Sequence, residues 1–190
     1  FVMDGSKRSA HGNAYFSGFG SNKRIVFFDT LIERLAPQEV EAVLAHELGH
    51  FKLKHIVKRM VVMFAISLGF LALLGYLKEQ VWFFTGLGVD PILFASSNSA
   101  MALILFMVTL PVFTFVLSPL SSISSRKHEF EADAFAVKHT NAPDLVNALV
   151  KLYEDNASTL TPDPLHSAFY DSHPPASIRI AHLHQQGQLT

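Results

Sequence analysis

In the stretch AVLAHELGHFKLKH, residues 42 to 55, two histidines stand four residues apart, and a glutamate directly follows the first. On a helix, His46 and His50 project from one face with their Cβ atoms about 5–6 Å apart, so both imidazoles can share one Zn²⁺ at about 2.0–2.1 Å. Glu47 sits beside them, within reach of a water on such an ion. This H-E-x-x-H pattern is the signature of zinc-dependent peptide-bond hydrolysis, with the glutamate as general base. The plainer alternative is the polar face of an ordinary solvated helix. His55 lies about 140° further round a continuous helix than His50, so it is expected off the ligand face, as an interfacial residue.

Two histidines do not complete a catalytic zinc site, which takes three protein ligands and one open position. Position 56 is Ile56, where a metzincin-type third histidine would fall, and the next acidic residue after His50 is Glu79. The third ligand must therefore come from further along the chain. In SSRKHEFEADAFAVKH, Glu129 and Asp133 are four apart and share a helix face, while Glu131 points elsewhere. One of the two carboxylates can ligate, and the other can accept a hydrogen bond from a ligating imidazole and fix its tautomer. Taken alone, these acids also read as a solvated face balanced by Arg126, Lys127 and Lys138.

The elements that must position these groups are legible at low resolution. Pro37, with Glu39 and Glu41 in the first turn, opens a helix that Val40, Val43, Leu44 and Leu48 continue at helical spacing. Upstream, residues 14–19 and 24–28 are short aromatic or β-branched runs bridged by Gly20, Ser21, Asn22 and Lys23, the pattern of a β-hairpin. Before them, the chain begins at Phe1 and Val2 and runs into a turn at MDGS, as a fragment of a longer protein would. Near the other end, His173-Pro174-Pro175 starts a helix expected over residues 176–185.

Between the two acid-and-histidine segments the chain turns apolar. Residues 60–77 are uncharged, and no charge appears between Asp90 and Arg126. A membrane-crossing helix needs about 20 apolar residues, about 17 at the short end, and a soluble helix normally keeps a polar stripe that both segments lack. A transmembrane helical hairpin over residues 58–125 is expected, inserted between two soluble parts, 1–57 and 126–190. Such a hairpin brings its ends together, making Glu129 and Asp133 neighbours of His46 and His50. Lys52, Lys54, Lys58 and Arg59 precede the first span and Arg126 and Lys127 follow the second, against Lys78 alone in the loop. Both soluble parts are thus expected on the cytoplasmic side.

Composition removes other classes. Fifteen basic against sixteen acidic residues leave a net charge of −1, no global field for nucleic acid, which is excluded as a partner. With no cysteine, disulfides, thiolate nucleophiles and thiolate metal ligands are excluded too.

The segments HGNAYFSGFGSNKRIVFFDTLIERL, AVLAHELGHFKLKH, SRKHEFEADAFA and FYDSHPPASIRIAHL, in this order, resemble the catalytic half of the type I CaaX prenyl proteases, with HtpX-like proteases as more distant relatives. The resemblance implies a mostly α fold with a small antiparallel β-hairpin or sheet and a zincin-like metallopeptidase core carrying the inserted membrane hairpin. It implies one Zn²⁺ per chain on His46, His50 and Glu129, with Asp133 as the carboxylate behind a ligand and Glu47 as general base. His173 would match a transition-state-stabilising histidine, Arg179 an arginine close to the site, and Asn13 an asparagine near the substrate, beside an edge strand that pairs with extended peptide. It further implies a peptide or protein substrate, prenylated at a C-terminal CaaX sequence, and a multi-pass protein surrounded by membrane lipid, in the endoplasmic reticulum of a eukaryote or the inner membrane of a bacterium. Quality-control proteolysis of membrane proteins is the alternative activity, and an inactive membrane scaffold with a structural zinc the alternative of another class. The chain departs from the family pattern at Phe51, where tryptophan is frequent, near Lys54, where glycine is, and in carrying fewer spans.

Overall fold

In the computed structural model, which describes residues 1–19, 22–91, 98–155, 162–171 and 173–187, the two early β-branched and aromatic runs pair as expected. Strands β2 (Ala14–Phe19) and β3 (Asn22–Phe28) are antiparallel, with Ala14 opposite Phe27 and Phe19 opposite Asn22. Gly20 and Ser21 of the expected bridge lie outside the described residues. A third strand, β1 (Val2–Met3), runs parallel to β3 on its other side, giving the order β1-β3-β2 and leaving β2 at an edge. The expected MDGS turn follows it as a 3-10 turn over Gly5–Lys7.

Short helix α1 (Asp29–Arg34) follows β3 directly, and α2 (Pro37–Lys52) opens at the expected proline. Glu39 caps α2 by accepting the Ala36 N–H at 2.7 Å, and it also receives Lys151 Nζ at 2.6 Å from helix α6 (Ala142–Asp155). The buried face of α2 is built from small residues, Ala42, Ala45 and Gly49, with Val43 and His46. Leu48, expected on the apolar face, is 39% exposed instead. Large side chains are displaced from this face because other helices approach it closely: a Cβ added at Gly49 would lie 3.1 Å from the Cα of Ala132.

The chain divides into two compact units, one of Phe1–Ile56 with Pro119–Thr190, the other of Val57–Ser118. The first is built on two apolar clusters. Ala42, Ala45, Ala136, Leu145, Leu149 and Leu183 form one, tying α2 and α6 to helix α8 (Ala176–Gly187). Phe27, Leu31, Leu35, Val43 and Ala148 form the other, beneath the sheet. Helix α8 covers the expected 176–185, and a further short helix, α7 (Pro164–Tyr170), is capped by Asp163.

The second unit contains most of α3 (His55–Leu77), the short α4 (Val81–Gly86) and the first half of α5 (Asn98–Val137). The end of α3 packs on the start of α5 through Leu77, Phe83, Phe84, Ala102 and Phe106, closing a helical hairpin. Both long helices are apolar enough to cross a membrane, and only 6% and 11% of their most apolar stretches are buried. A soluble core helix would bury those side chains. Helix α5 is continuous through residues 125 and 126, since no glycine or proline interrupts the chain from 120 to 137. At about 60 Å it is twice the ~30 Å hydrocarbon thickness, so only part of it can cross. The remainder, from Pro119, belongs to the first unit and carries Glu129 and Asp133.

Candidate metal centre

Two helices of the first unit meet at the H-E-x-x-H segment. Helix α2 presents His46 and His50 one turn apart, and α5 presents Glu129 and Asp133 one turn apart. Gly49 lets them approach: a side chain there would press on Ala132 Cα and Phe135 Cβ, both at 3.1 Å. The glycine of the motif is thus a packing requirement of the site.

The three groups converge. His46 Nε2 and His50 Nε2 are 3.1 Å apart, His50 Nε2 is 3.4 Å from Glu129 Oε1, and His46 Nε2 is 3.6 Å from Glu129 Oε2. Ligands at 2.0–2.1 Å around a tetrahedral ion lie about 3.4 Å from one another, the size of this triangle. The two imidazoles are nearly perpendicular, at 76°, so their in-plane lone pairs can meet on a common point. Chemistry of the donors points the same way. His46 Nδ1 is 2.9 Å from Asp133 Oδ1, a contact that assigns the ring proton to Nδ1 and leaves Nε2 a bare acceptor. Glu129 Oε2 is buried and accepts no hydrogen bond among the described residues. Imidazole acceptors facing a buried carboxylate oxygen that no hydrogen bond satisfies fit a cation, and His46, His50 and Glu129 are the residues that would hold it.

Behind the triangle, Asp133 is fully buried and clamped by Arg179, whose Nη2 reaches Oδ1 at 2.6 Å and whose Nε reaches Oδ2 at 2.9 Å. Arg179 is 5% exposed, and its Nη1 lies 3.4 Å from Glu129 Oε2. Burial alone would raise both carboxyl pKa values. For Asp133 the hydrogen bonds from His46 and Arg179 outweigh it and hold the group at about 2, and for Glu129 the facing His50 imidazole and the Arg179 charge do the same, also to about 2. Glu47 behaves oppositely. Burial raises its pKa, against the pull of His46 and His50.

A groove of about 640 Å³ in the first unit opens beside the triangle, lined by Glu47, His173, Asn13, Arg179 and Tyr153 among others. It brings together Asn13, Glu47, His173 and Arg179, which the sequence nominated from three separate segments. His173 is exposed, with Nε2 3.5 Å from Glu129 Oε1, at the mouth of the site. Asn13 directly precedes edge strand β2, and its carbonyl accepts the Phe28 N–H at 2.9 Å. Tyr153 was not nominated from sequence. It reaches the groove from α6, and its hydroxyl donates to the Pro174 carbonyl at 3.4 Å, beside His173. A tyrosine on an amphipathic helix offers no spacing signal that could have singled it out. His166 lines the same groove.

His55 stays outside the triangle of His46, His50 and Glu129, but its expected interfacial placement is corrected. Helix α2 stops at Lys52, Lys54 takes a left-handed φ of 58°, and α3 begins at His55, so the 140° offset of a continuous helix does not apply. His55 is 3% exposed, and its Nδ1 lies 3.0 Å from His50 Nδ1.

Comparison with known proteins gives concordant results. The family model of peptidase family M48 matches residues 1–186. A CAAX prenyl protease 1 homolog of Arabidopsis thaliana is 42% identical over 195 residues, covering 100% of this chain and 44% of that protein. CAAX prenyl protease 1 of Saccharomyces cerevisiae is 36% identical, covering 96% and 43%. The crystal structure of S. mikatae Ste24p superposes with a TM-score of 0.83 at 34% identity, covering 96% of this chain and 45% of that one. The chain thus spans less than half the length of the curated relatives it matches.

Proposed function

The chain belongs to peptidase family M48, and from that premise we propose that it is the catalytic part of a zinc-dependent membrane endopeptidase. The observation that carries the reading is the tetrahedron-sized triangle of acceptors, His46, His50 and Glu129, beside a groove that Glu47 and His173 line.

When bound, zinc lowers the pKa of a water toward ~7 and polarises the scissile carbonyl. Glu47 takes a proton from the attacking water and returns it to the leaving amine; the upward displacement of its pKa by burial moves it toward the range useful to a base at neutral pH. His173, exposed on the groove, donates to the oxyanion of the tetrahedral intermediate. Removing one such donor costs about 2.7–4 kcal/mol in other enzymes. Asp133 and Arg179 orient His46, with Arg179 acting through Asp133. The substrate main chain adds to the free edge of β2, and Asn13 at its start meets it there.

The names of the relatives, CAAX prenyl protease 1 and its homologs, support a prenylated C-terminal CaaX peptide as substrate. The apolar, exposed faces of α3 and α5 support a membrane setting, and the basic flanks Lys52, Lys54, Lys58, Arg59, Arg126 and Lys127 support a cytoplasmic site. The test is Glu47→Gln in the full-length protein. Zinc is retained and peptidase activity collapses; activity near the parent level refutes the reading. Cleavage of a farnesylated peptide in preference to its unfarnesylated twin supports the CaaX assignment, and equal cleavage favours general proteolysis of membrane proteins.

A further inference from the structure

His50 lacks the carboxylate that orients His46. In its place, His55 Nδ1 stands 3.0 Å from His50 Nδ1, and His55 Nε2 stands 2.9 Å from Glu131 Oε2. We propose that His55 and Glu131 are positioning residues for the metal centre, a Glu131–His55–His50 hydrogen-bond relay that fixes the tautomer and the ring angle of the second histidine ligand. The proposal rests on the reading that His46, His50 and Glu129 hold zinc.

Proton bookkeeping admits one consistent arrangement. Glu131 is an acceptor, so His55 carries its proton on Nε2 and offers the lone pair of Nδ1. His50 must then donate from Nδ1, which leaves Nε2 bare and aimed at His46 Nε2 and Glu129 Oε1. Every donor in the chain points away from the metal position. The relay is also enclosed. His55 is 3% exposed and stacks on His128 at 4.2 Å between centroids, whereas the Glu131 side chain is 35% exposed, where a negative charge is cheaply held.

The same residues pose a rival, a second metal ion on His55, His128 and Glu131, whose ligand atoms lie within 4.8 Å. Ring geometry disfavours it. The His55 and His128 planes are only 13° apart, so their in-plane lone pairs run side by side and do not converge, unlike the 76° pair at the first site. Both nitrogens of His55 are moreover already engaged.

The experiment measures zinc stoichiometry and affinity of the full-length protein by competition with a chromogenic chelator, alongside thermal unfolding of the metal-free form. The expected results are one zinc per chain and about 10–100-fold weaker binding in His55→Phe and Glu131→Ala. His55→Asn, whose amide oxygen can accept from His50 Nδ1, recovers much of the loss. Lys127→Ala, which removes the 3.9 Å contact to Glu131 Oε1, leaves affinity unchanged. In the Co²⁺-substituted protein, His55→Phe shifts the visible ligand-field bands. Parent-like affinity and spectra in both His55→Phe and Glu131→Ala overturn the relay, as does a second zinc lost on His128→Ala. If His55→Phe does not fold, the partly exposed Glu131 keeps the question decidable. A parent chain that binds no zinc sinks both this inference and the proposed function, whereas a parent that binds it and variants that bind it equally well sink the relay alone.

Discussion

Arg179→Met should be the most destabilising conservative-volume change at the centre. Asp133 has no exposed surface, and Arg179, 5% exposed, is its bidentate partner at 2.6 and 2.9 Å. Removing the guanidinium leaves a buried carboxylate with, among the described residues, only the His46 contact, and breaking such a pair by deleting one partner costs about 3–5 kcal/mol. For a chain of 150–250 residues, each kcal/mol moves the melting temperature by about 2–4 °C, so a fall of roughly 6–20 °C is expected. The physical claim lies in the sign of the double variant. Asp133→Asn combined with Arg179→Met removes the unpaired charge, keeps an acceptor for His46 Nδ1, and should be more stable than Arg179→Met alone. Arg179→Lys should fall between, because lysine keeps the charge and loses the two-pronged geometry. Thermal unfolding of the metal-free protein in detergent measures all three against the parent. A double variant no more stable than the single one, or an Arg179→Met loss under about 1 kcal/mol, would show that the clamp is not what stabilises the buried acid.

Three further outcomes follow from particular positions. Gly49→Ala gains about 1 kcal/mol of helix propensity but brings a methyl to 3.1 Å from backbone Cα of Ala132, which cannot rotate away; overpacking of about 1–3 kcal/mol should win, with weaker metal binding read by chelator competition. Lys54→Gly should stabilise the protein by up to about 1 kcal/mol in thermal unfolding, since a left-handed φ of 58° costs an L-residue about 1–2 kcal/mol and glycine's extra chain entropy returns part of that gain. In acid, Asp133 and Glu129 titrate lower in the folded chain than in the unfolded one, so their stabilisation is complete above about pH 4.5 and is lost as pH falls toward 2. For Asp133 the loss is about 2 kcal/mol, and Asp133→Asn should flatten that limb of the pH–stability curve of the metal-free protein. Glu47, displaced upward, works in the opposite sense.

Local pattern settled much of this molecule. His46, Glu47 and His50 need only the 3.6-residue period to share a face, and Pro37 with Glu39 marks where that helix begins. The uncharged stretches around α3 and the first half of α5 announce themselves by length, because nothing but composition decides whether a helix can face lipid. Even the pair of acids from which a third ligand would come was reachable, since an apolar hairpin must return the chain to where it left, and Glu129 and Asp133 are spaced by one turn on the far side; only the resemblance pointed to Glu129 of the two.

The tertiary structure decided what depends on groups far apart in sequence meeting at a given angle. Periodicity could place His55 only on an extension of α2; a left-handed Lys54 ends that extension and turns His55 beneath His50, and no spacing rule anticipates a break without glycine or proline. Glu131, off the ligand face as the helix period requires, is off it toward His55, which sequence could not know because the two are 76 residues apart. Arg179, placed near the site only by the resemblance, is buried against Asp133 because α8 packs on α6. Tyr153 enters the groove only because α6 lies beneath it. Short-range geometry is written into the chain by helix period and chain length, whereas the partners of a buried charge are chosen by packing, which sums over the whole fold.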